Sequence, residues 1–231
     1  MKQAATTPSR KRVAMETEQT KVWKGEFGRA YSQRSTFDNA DDFNQQHAAR
    51  FGMTRDDLFA KLLSFLPRQG RILEVGCNLG YQLSSVGRAG FDRLYGIDIQ
   101  LDCLETISRE RPELLVVGGS GLALPFSDET FDLVMTHHVL IHFSERDLSS
   151  VLDEIYRVSR GHVLGIEYYA PKFTSIPYRG NKNLLWKADY AEIYRKRFPN
   201  METVQEEKLI YLDRHGISDS AFLLRKCAQR I

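Results

Sequence analysis

Residues 71–82 read RILEVGCNLGYQ: an apolar run carrying one acid, Glu74, breaks at Gly76 and Gly80, and helical spacing begins at Tyr81. A strand turning this sharply into a helix admits few architectures, and the pattern repeats. RLYGID reads as a strand, residues 101–110 as a helix, ELLVVG as a strand and FDLVMTH as another. SERDLSSVLDEIYRVSR is a helix with Ser144 at its N-cap and Asp147 three positions on, a variant of the capping box. HVLGIEYY is a strand and ADYAEIYRKRF a helix. Upstream, DDLFAKLLSFL carries a helical stripe ended by Pro67 and Gly70, and the helix at about 81–89 stops at Gly90. Strands alternating with helices require a mostly parallel sheet with helices on both faces. Two late β segments, about 203–212 and 219–226, are joined by so few residues that they pair antiparallel.

At 231 residues the chain suits one medium domain. Residues 1–22 read as a flexible basic tail, and 23–231 as a single domain. A cover at 23–66 carries Trp23, Phe27, Tyr31, Phe37 and Phe43, and a loop at 168–188 contains Pro171, Pro177 and Gly180. With 42% hydrophobic residues and no run of 18, a transmembrane helix is not expected. The basic N-terminus lacks the apolar core of a secretory signal. Three scattered cysteines, Cys77, Cys103 and Cys227, have no metal spacing and suit a reducing, cytoplasmic setting. The net charge of +2 and the lack of a broad basic face give no expectation of a nucleic-acid partner.

In an open α/β sheet, ligands lie beyond the carboxyl ends of the strands at the switch point, where Gly76 and Gly80 fall. A dinucleotide site needs G-x-G-x-x-G. Here Glu74-x-Gly76-x-Asn78-x-Gly80 puts a side chain in the middle, which suits a ligand with no pyrophosphate there. Asparagine tolerates positive φ better than most residues. A tight turn serving only to join strand and helix accounts for the same glycines. Asp98 ends the second strand 24 residues after Glu74. Its carboxylate could accept from both hydroxyls of a ribose, or cap the helix starting near Leu101.

With these residues and SGLALPFSDETFDLV in hand, residues 55–167 resemble the class I S-adenosylmethionine-dependent methyltransferases. The resemblance implies a Rossmann-like seven-stranded sheet of order 3-2-1-4-5-7-6, its last strand antiparallel. Residues 23–227 are also similar to methylases associated with pseudaminic acid biosynthesis, through FGRAYSQRS, EVGCNLG, VLIHF, EYYAPKFTSIPYRGNKNLLWKADYA and AFLLRK. In that family asparagine commonly stands where Asn78 does. Ser120 occupies the place where many class I enzymes keep an acid for the adenine amino group.

The resemblance implies S-adenosyl-L-methionine as cofactor, S-adenosyl-L-homocysteine as product, and no metal. It puts Glu74, Gly76, Asn78 and Gly80 along the methionine moiety, which Thr136 and His137 approach from the fourth strand. Asp98 would hold the ribose, Ile99 pack on adenine, and Ser120, Gly121 and Leu122 flank the base. Tyr31 and Arg34 share a helix face if 28–34 is helical, and Arg34 suits a carboxylate. His142 is the first choice of base for a hydroxyl or amine acceptor, and Glu167, ending the fifth strand, could orient it. His138, Tyr168, Tyr169 and Tyr178 would wall the acceptor, with Arg179 and Lys187 taking an anionic group. The expected activity is methyl transfer to an O or N atom of a polar, anionic small molecule, sugar-derived or a natural-product intermediate, by a monomer or homodimer. RNA methylation and a non-catalytic cofactor-binding regulatory protein are the alternatives.

Overall fold

The computed structural model describes residues 16–214 and 216–228. Most of the expected flexible tail lies outside them, but its last residues do not: helix α1 spans Glu18–Lys24 and buries Thr20. Thr17 caps α1 by accepting from the Thr20 amide, so the ordered cover starts before the expected boundary at residue 23. It continues through α2 (Glu26–Arg34), α3 (Ala40–Phe51) and α4 (Arg55–Leu62). Asn39 and Thr54 cap α3 and α4, and Gly52 closes α3 in the left-handed region.

Seven long strands form one sheet. They are β1 (Ile72–Val75), β2 (Leu94–Asp98), β3 (Leu115–Gly118), β4 (Phe131–His137), β5 (Ser159–Tyr168), β6 (Met201–Ile210) and β7 (Ser218–Lys226). Counted this way their order is 3-2-1-4-5-7-6. Strands β1 to β5 pair in parallel, and β7 runs antiparallel to both β5 and β6. Helices α5 (Tyr81–Arg88), α6 (Leu101–Glu110), α7 (Glu145–Val158) and α8 (Tyr190–Arg197) complete the layers. The sheet order and class follow the expectation. Within 168–188, Thr174–Ser175 pairs with Trp186–Lys187, so the expected loop holds a short ladder.

Strand alternation divides the core. On β4, Val134 packs with α7 and α8, while Leu133 and Met135 face the side of α4, α5 and α6. The LPF turn is fixed from α7: Arg157 donates to the carbonyls of Leu124 and Phe126 at 3.0 and 2.7 Å, and Glu154 accepts the Leu124 amide at 2.8 Å. These bonds satisfy backbone that would otherwise be orphaned beside the core, and they hold the loop leading into β4. Among the described residues no helix is long and apolar enough to cross a membrane.

Candidate active site

The sheet reverses its strand order between β1 and β4, and there a cavity of about 420 Å³ opens at the carboxyl ends of the strands. Its floor is the turn after β1. Gly76, Asn78 and Gly80 all have positive φ (74°, 45° and 75°). The Gly76 and Cys77 amides donate to the Ile97 carbonyl at 2.8 and 3.1 Å, which folds the turn toward β2. Asn78 does more than tolerate the left-handed region. Its amide donates to Ser32 Oγ at 2.7 Å, and Ser32 in turn bonds Gln100 at 3.2 Å. The asparagine thus ties the turn to α2 and to the start of α6, a link glycine cannot make.

Asp98 is buried and lines the cavity. One oxygen accepts from the Asn78 amide and the other from the Gln100 amide, both at 2.8 Å. It does not cap α6, whose N-cap is Gln100. Each carboxylate oxygen has two lone pairs, so each retains one for a ligand. Burial pushes the Asp98 carboxyl upward. Glu74 is 1% exposed, lines the same floor, and its Oε2 has no partner. Burial and then the nearby Asp98 raise its carboxyl well above the ordinary range. A buried acceptor without a donor is costly, so this floor suits a cationic or hydrogen-donating ligand group.

Ile99, Ser120 and Gly121 line the cavity beside β2 and β3, and His137 at the end of β4 and His138 and His142 beyond it line the other side. Tyr31 and Arg34 come from α2, so the helix on which their shared face depended is present; Arg34 is exposed at the mouth. Trp23 packs on His142 with ring centroids 4.3 Å apart and on Tyr31 at 5.3 Å.

The three histidines are held in different ways. Arg55 donates to His137 Nε2 at 3.0 Å, so the hydrogen of this ring is on Nδ1. The Gln82 amide at 3.2 Å from Nδ1 must then turn its oxygen to that hydrogen, which gives Gln82 Oε1 the partner it otherwise lacks. His142 donates from Nδ1 to the Leu184 carbonyl at 2.8 Å. Burial pushes it down to about 4, so it is neutral at physiological pH. His138 has φ +52° and puts Nε2 2.8 Å from Asp219, a fully buried acid on β7.

Several expected site residues are elsewhere. Glu167 is fully buried and does not line the cavity; both its oxygens accept the Val139 amide, at 3.1 and 3.3 Å. It anchors the segment after β4 rather than meeting an acceptor. Thr136 is buried beneath the rim, Leu122 packs into the core, and Gly80 starts α5 under Leu114 and Ile107. Tyr168, Tyr169, Tyr178, Arg179 and Lys187 do not line the cavity either. Arg179 is exposed beside the Tyr178 ring, Lys187 lies over Tyr168, and Lys208 lies over Tyr169. The 168–188 segment is drawn onto the sheet by buried Leu184, Leu185 and Trp186, and neither Arg179 nor Lys187 lines the cavity.

The sequence reading missed the polar wall opposite. Arg55 is 3% exposed and lines the cavity, with Nε and Nη1 unpartnered and no ion pair among the described residues. Burial pushes it down to about 10, opposed mainly by the negative charge of Asp219. His47, beside it, donates from Nδ1 to the Met53 carbonyl at 2.7 Å; its Nε2 has no partner, and burial pushes it down to about 3. An arginine in the first turn of a helix opposes the helix dipole, and an aspartate inside a strand is disfavoured. Arg55 and Asp219 each carry one of those signals. Among the described residues no group of three or more His, Cys, Asp or Glu side chains comes together to hold a metal ion.

The burial of Glu167 makes stability depend on pH. Its carboxyl is raised from 4.5 to about 7, so the unfolded chain releases a proton that the folded chain keeps between those values. The folded-state advantage is full below 4.5 and is lost as pH rises through 7. Glu167→Gln keeps an oxygen for Val139 and cannot ionise. It is expected to be more stable than wild type by about 1–3 kcal/mol at pH 8, with the gap closing by pH 4.5. Urea midpoints across that range measure it; a gap independent of pH would contradict the burial effect.

The sheet order and this switch-point cavity are those of the Rossmann-like fold that the class I methyltransferases share. Residues 73–164 match the family model described as a methyltransferase domain. Over 105 residues the chain is 30% identical to a demethylmenaquinone methyltransferase of Renibacterium salmoninarum, covering 45% of this chain and 43% of that protein. A second protein of that name, from Roseiflexus castenholzii, is 32% identical over 113 residues, 46% of each chain. The chain thus spans about half the length of the curated relatives it matches. Among solved structures, the 1,6-didemethyltoxoflavin-N1-methyltransferase of Burkholderia thailandensis, with bound S-adenosylhomocysteine, aligns with TM-score 0.71 at 16% identity, over 96% of this chain and 94% of that one. The magnesium protoporphyrin IX methyltransferase of Synechocystis, also with that product bound, gives 0.63 at 15% over 89% and 97%.

Proposed function

We propose that this chain is an S-adenosylmethionine-dependent methyltransferase acting on an O or N atom of a polar small molecule that carries an anionic group. The observation behind it is the orphaned Glu74 oxygen and the half-used Asp98 carboxylate on one cavity floor. Glu74 fits the methionine ammonium, which would satisfy its free oxygen and favour its ionised form. Asp98 fits the ribose diol, one hydroxyl to each oxygen. Ile99 would cover one adenine face, and Ser120 and Gly121 its edge. Arg34, at the mouth, suits the methionine carboxylate. When bound, the sulfonium supplies an electrophilic methyl group. The protein's part is to align the acceptor with it and to exclude water, and the aromatic cover of Trp23, Tyr31 and Phe143 does the second.

The acceptor side is the wall of Arg55, His47, Gln82 and His138. Unpartnered guanidinium N–H groups at Arg55 favour an anionic acceptor, and they replace Arg179 and Lys187 in that role. The finer resemblance to methylases associated with pseudaminic acid biosynthesis supports a sugar-derived compound of this charge. Calorimetry is expected to give one site per chain for S-adenosylmethionine and for S-adenosylhomocysteine, and none for NADH. A chain that binds neither sulfur compound is not this enzyme.

A further inference from the structure

We propose that His138 is the general base of this site, held by Asp219, and that the acceptor is therefore a group that must shed a proton, a hydroxyl or amine, rather than a carboxylate. The proposal rests on the methyltransferase reading and goes beyond it in naming the base and the acceptor class. His138 immediately follows β4, lines the cavity, and has an 18% exposed side chain. Its Nε2 lies 2.8 Å from an oxygen of Asp219, which is fully buried. A buried carboxylate accepts, so Nε2 carries the hydrogen and Nδ1 keeps its lone pair. That Nδ1 has no hydrogen-bond partner among the described residues.

Asp219 is itself fixed. Tyr211 bonds it at 3.1 and 3.3 Å, and it pairs across strands with Tyr168 and Leu209. The ring of His138 is clamped between His137, at 4.2 Å between centroids, and Tyr168, at 4.5 Å. Its backbone occupies the left-handed region at φ +52°, a conformation that side chains rarely adopt and that clusters at functional positions. The other two histidines, one ending β4 and one beyond it, are arranged oppositely. His137 has both ring nitrogens engaged, and His142 leans on a carbonyl, which stabilises an imidazolium less than a carboxylate does. As the acceptor atom bonds to the methyl carbon, its proton passes to His138 Nδ1 and the electron pair of the broken carbon–sulfur bond stays on sulfur. The resulting imidazolium faces Asp219. An ammonium acceptor would lose its proton to the same nitrogen before attack. Asp219 is a positioning residue: it selects the tautomer that leaves the reactive lone pair toward the cavity.

Two measurements on the full chain saturated with S-adenosylhomocysteine test this. Long-range proton–nitrogen correlation of the imidazoles is expected to find His138 with hydrogen on Nε2, and His137 and His142 with hydrogen on Nδ1. Diethyl pyrocarbonate, which attacks an unprotonated imidazole nitrogen, is expected to label His138 at least tenfold faster than His137, read by peptide mass spectrometry. In Asp219→Asn the side-chain amide can donate to Nε2, so the hydrogen moves to Nδ1 and His138 labelling falls about tenfold or more. A merely structural contact would leave tautomer and reactivity unchanged. If Asp219→Asn does not fold, the wild-type tautomer and labelling ratio still decide. Hydrogen on Nδ1 of wild-type His138, or a His138 as inert as His137, overturns the proposal. Failure of the protein to take up S-adenosylhomocysteine overturns the methyltransferase reading instead, whatever His138 does.

Discussion

Asp98→Ala is expected to weaken S-adenosylhomocysteine binding by about 100-fold or more. Two hydrogen bonds from a ribose diol to a buried carboxylate are worth about 1.5–3 kcal/mol each. Part of the loss would come from the protein itself, because the same carboxylate accepts the Asn78 and Gln100 amides and so holds the turn and the start of α6 together. 5′-Methylthioadenosine separates ribose binding from effects on the methionine wall, since it has the ribose but no amino-acid group. If Asp98 holds the ribose, calorimetry should show 5′-methylthioadenosine losing most of the factor that S-adenosylhomocysteine loses, the remainder being the share of the loosened turn. Equal affinity of wild type and variant for either ligand would remove Asp98 from the site.

Strand and helix identity was legible because the apolar periods are strong. Helix 101–110 and strand 131–137 have the same bounds in structure and sequence reading, and Ser144 caps α7 as its spacing required. That Glu74, Gly76, Asn78 and Asp98 share one cavity was legible for a local reason: they lie at the ends of two adjacent strands. The polar wall of Arg55 and His47 and its link to Asp219 were not. Arg55 comes from α4, His47 from α3 and Asp219 from β7, and nothing in their spacing shows that the fold joins them. Glu167 and Thr136 were misread because a strand end offers two faces. Register alone does not say which face meets the cavity, and both side chains turn beneath the rim. Arg179 and Lys187 fall outside the cavity lining for another reason: the loop is anchored by its buried Leu184, Leu185 and Trp186, a placement that sequence spacing does not reveal.

Gly76→Ala is expected to disturb fold and cavity together, because the turn and the segment beyond β4 touch there. A Cβ at this position would lie 2.5 Å from Val139 Cγ2 and 3.2 Å from Cγ1, on a backbone at φ +74°. Val139 cannot withdraw freely, since its amide is held by both oxygens of buried Glu167 and its carbonyl by the His142 amide. Nor can the turn, whose Gly76 amide is fixed to Ile97 at 2.8 Å. The left-handed conformation costs an alanine about 1–2 kcal/mol, and overpacking adds about 1–3 kcal/mol. The sum, about 2–5 kcal/mol, is expected to lower Tm by about 5–15 °C in a chain of this size. Cofactor binding should fall with it, because whatever moves to relieve the clash is part of the cavity wall. Adding Val139→Ala opens the space but leaves the backbone strained. The double variant should therefore recover the overpacking share of the stability and remain below wild type by the conformational share. A double variant no better than Gly76→Ala would mean that the contact with Val139 is not what requires glycine at this turn.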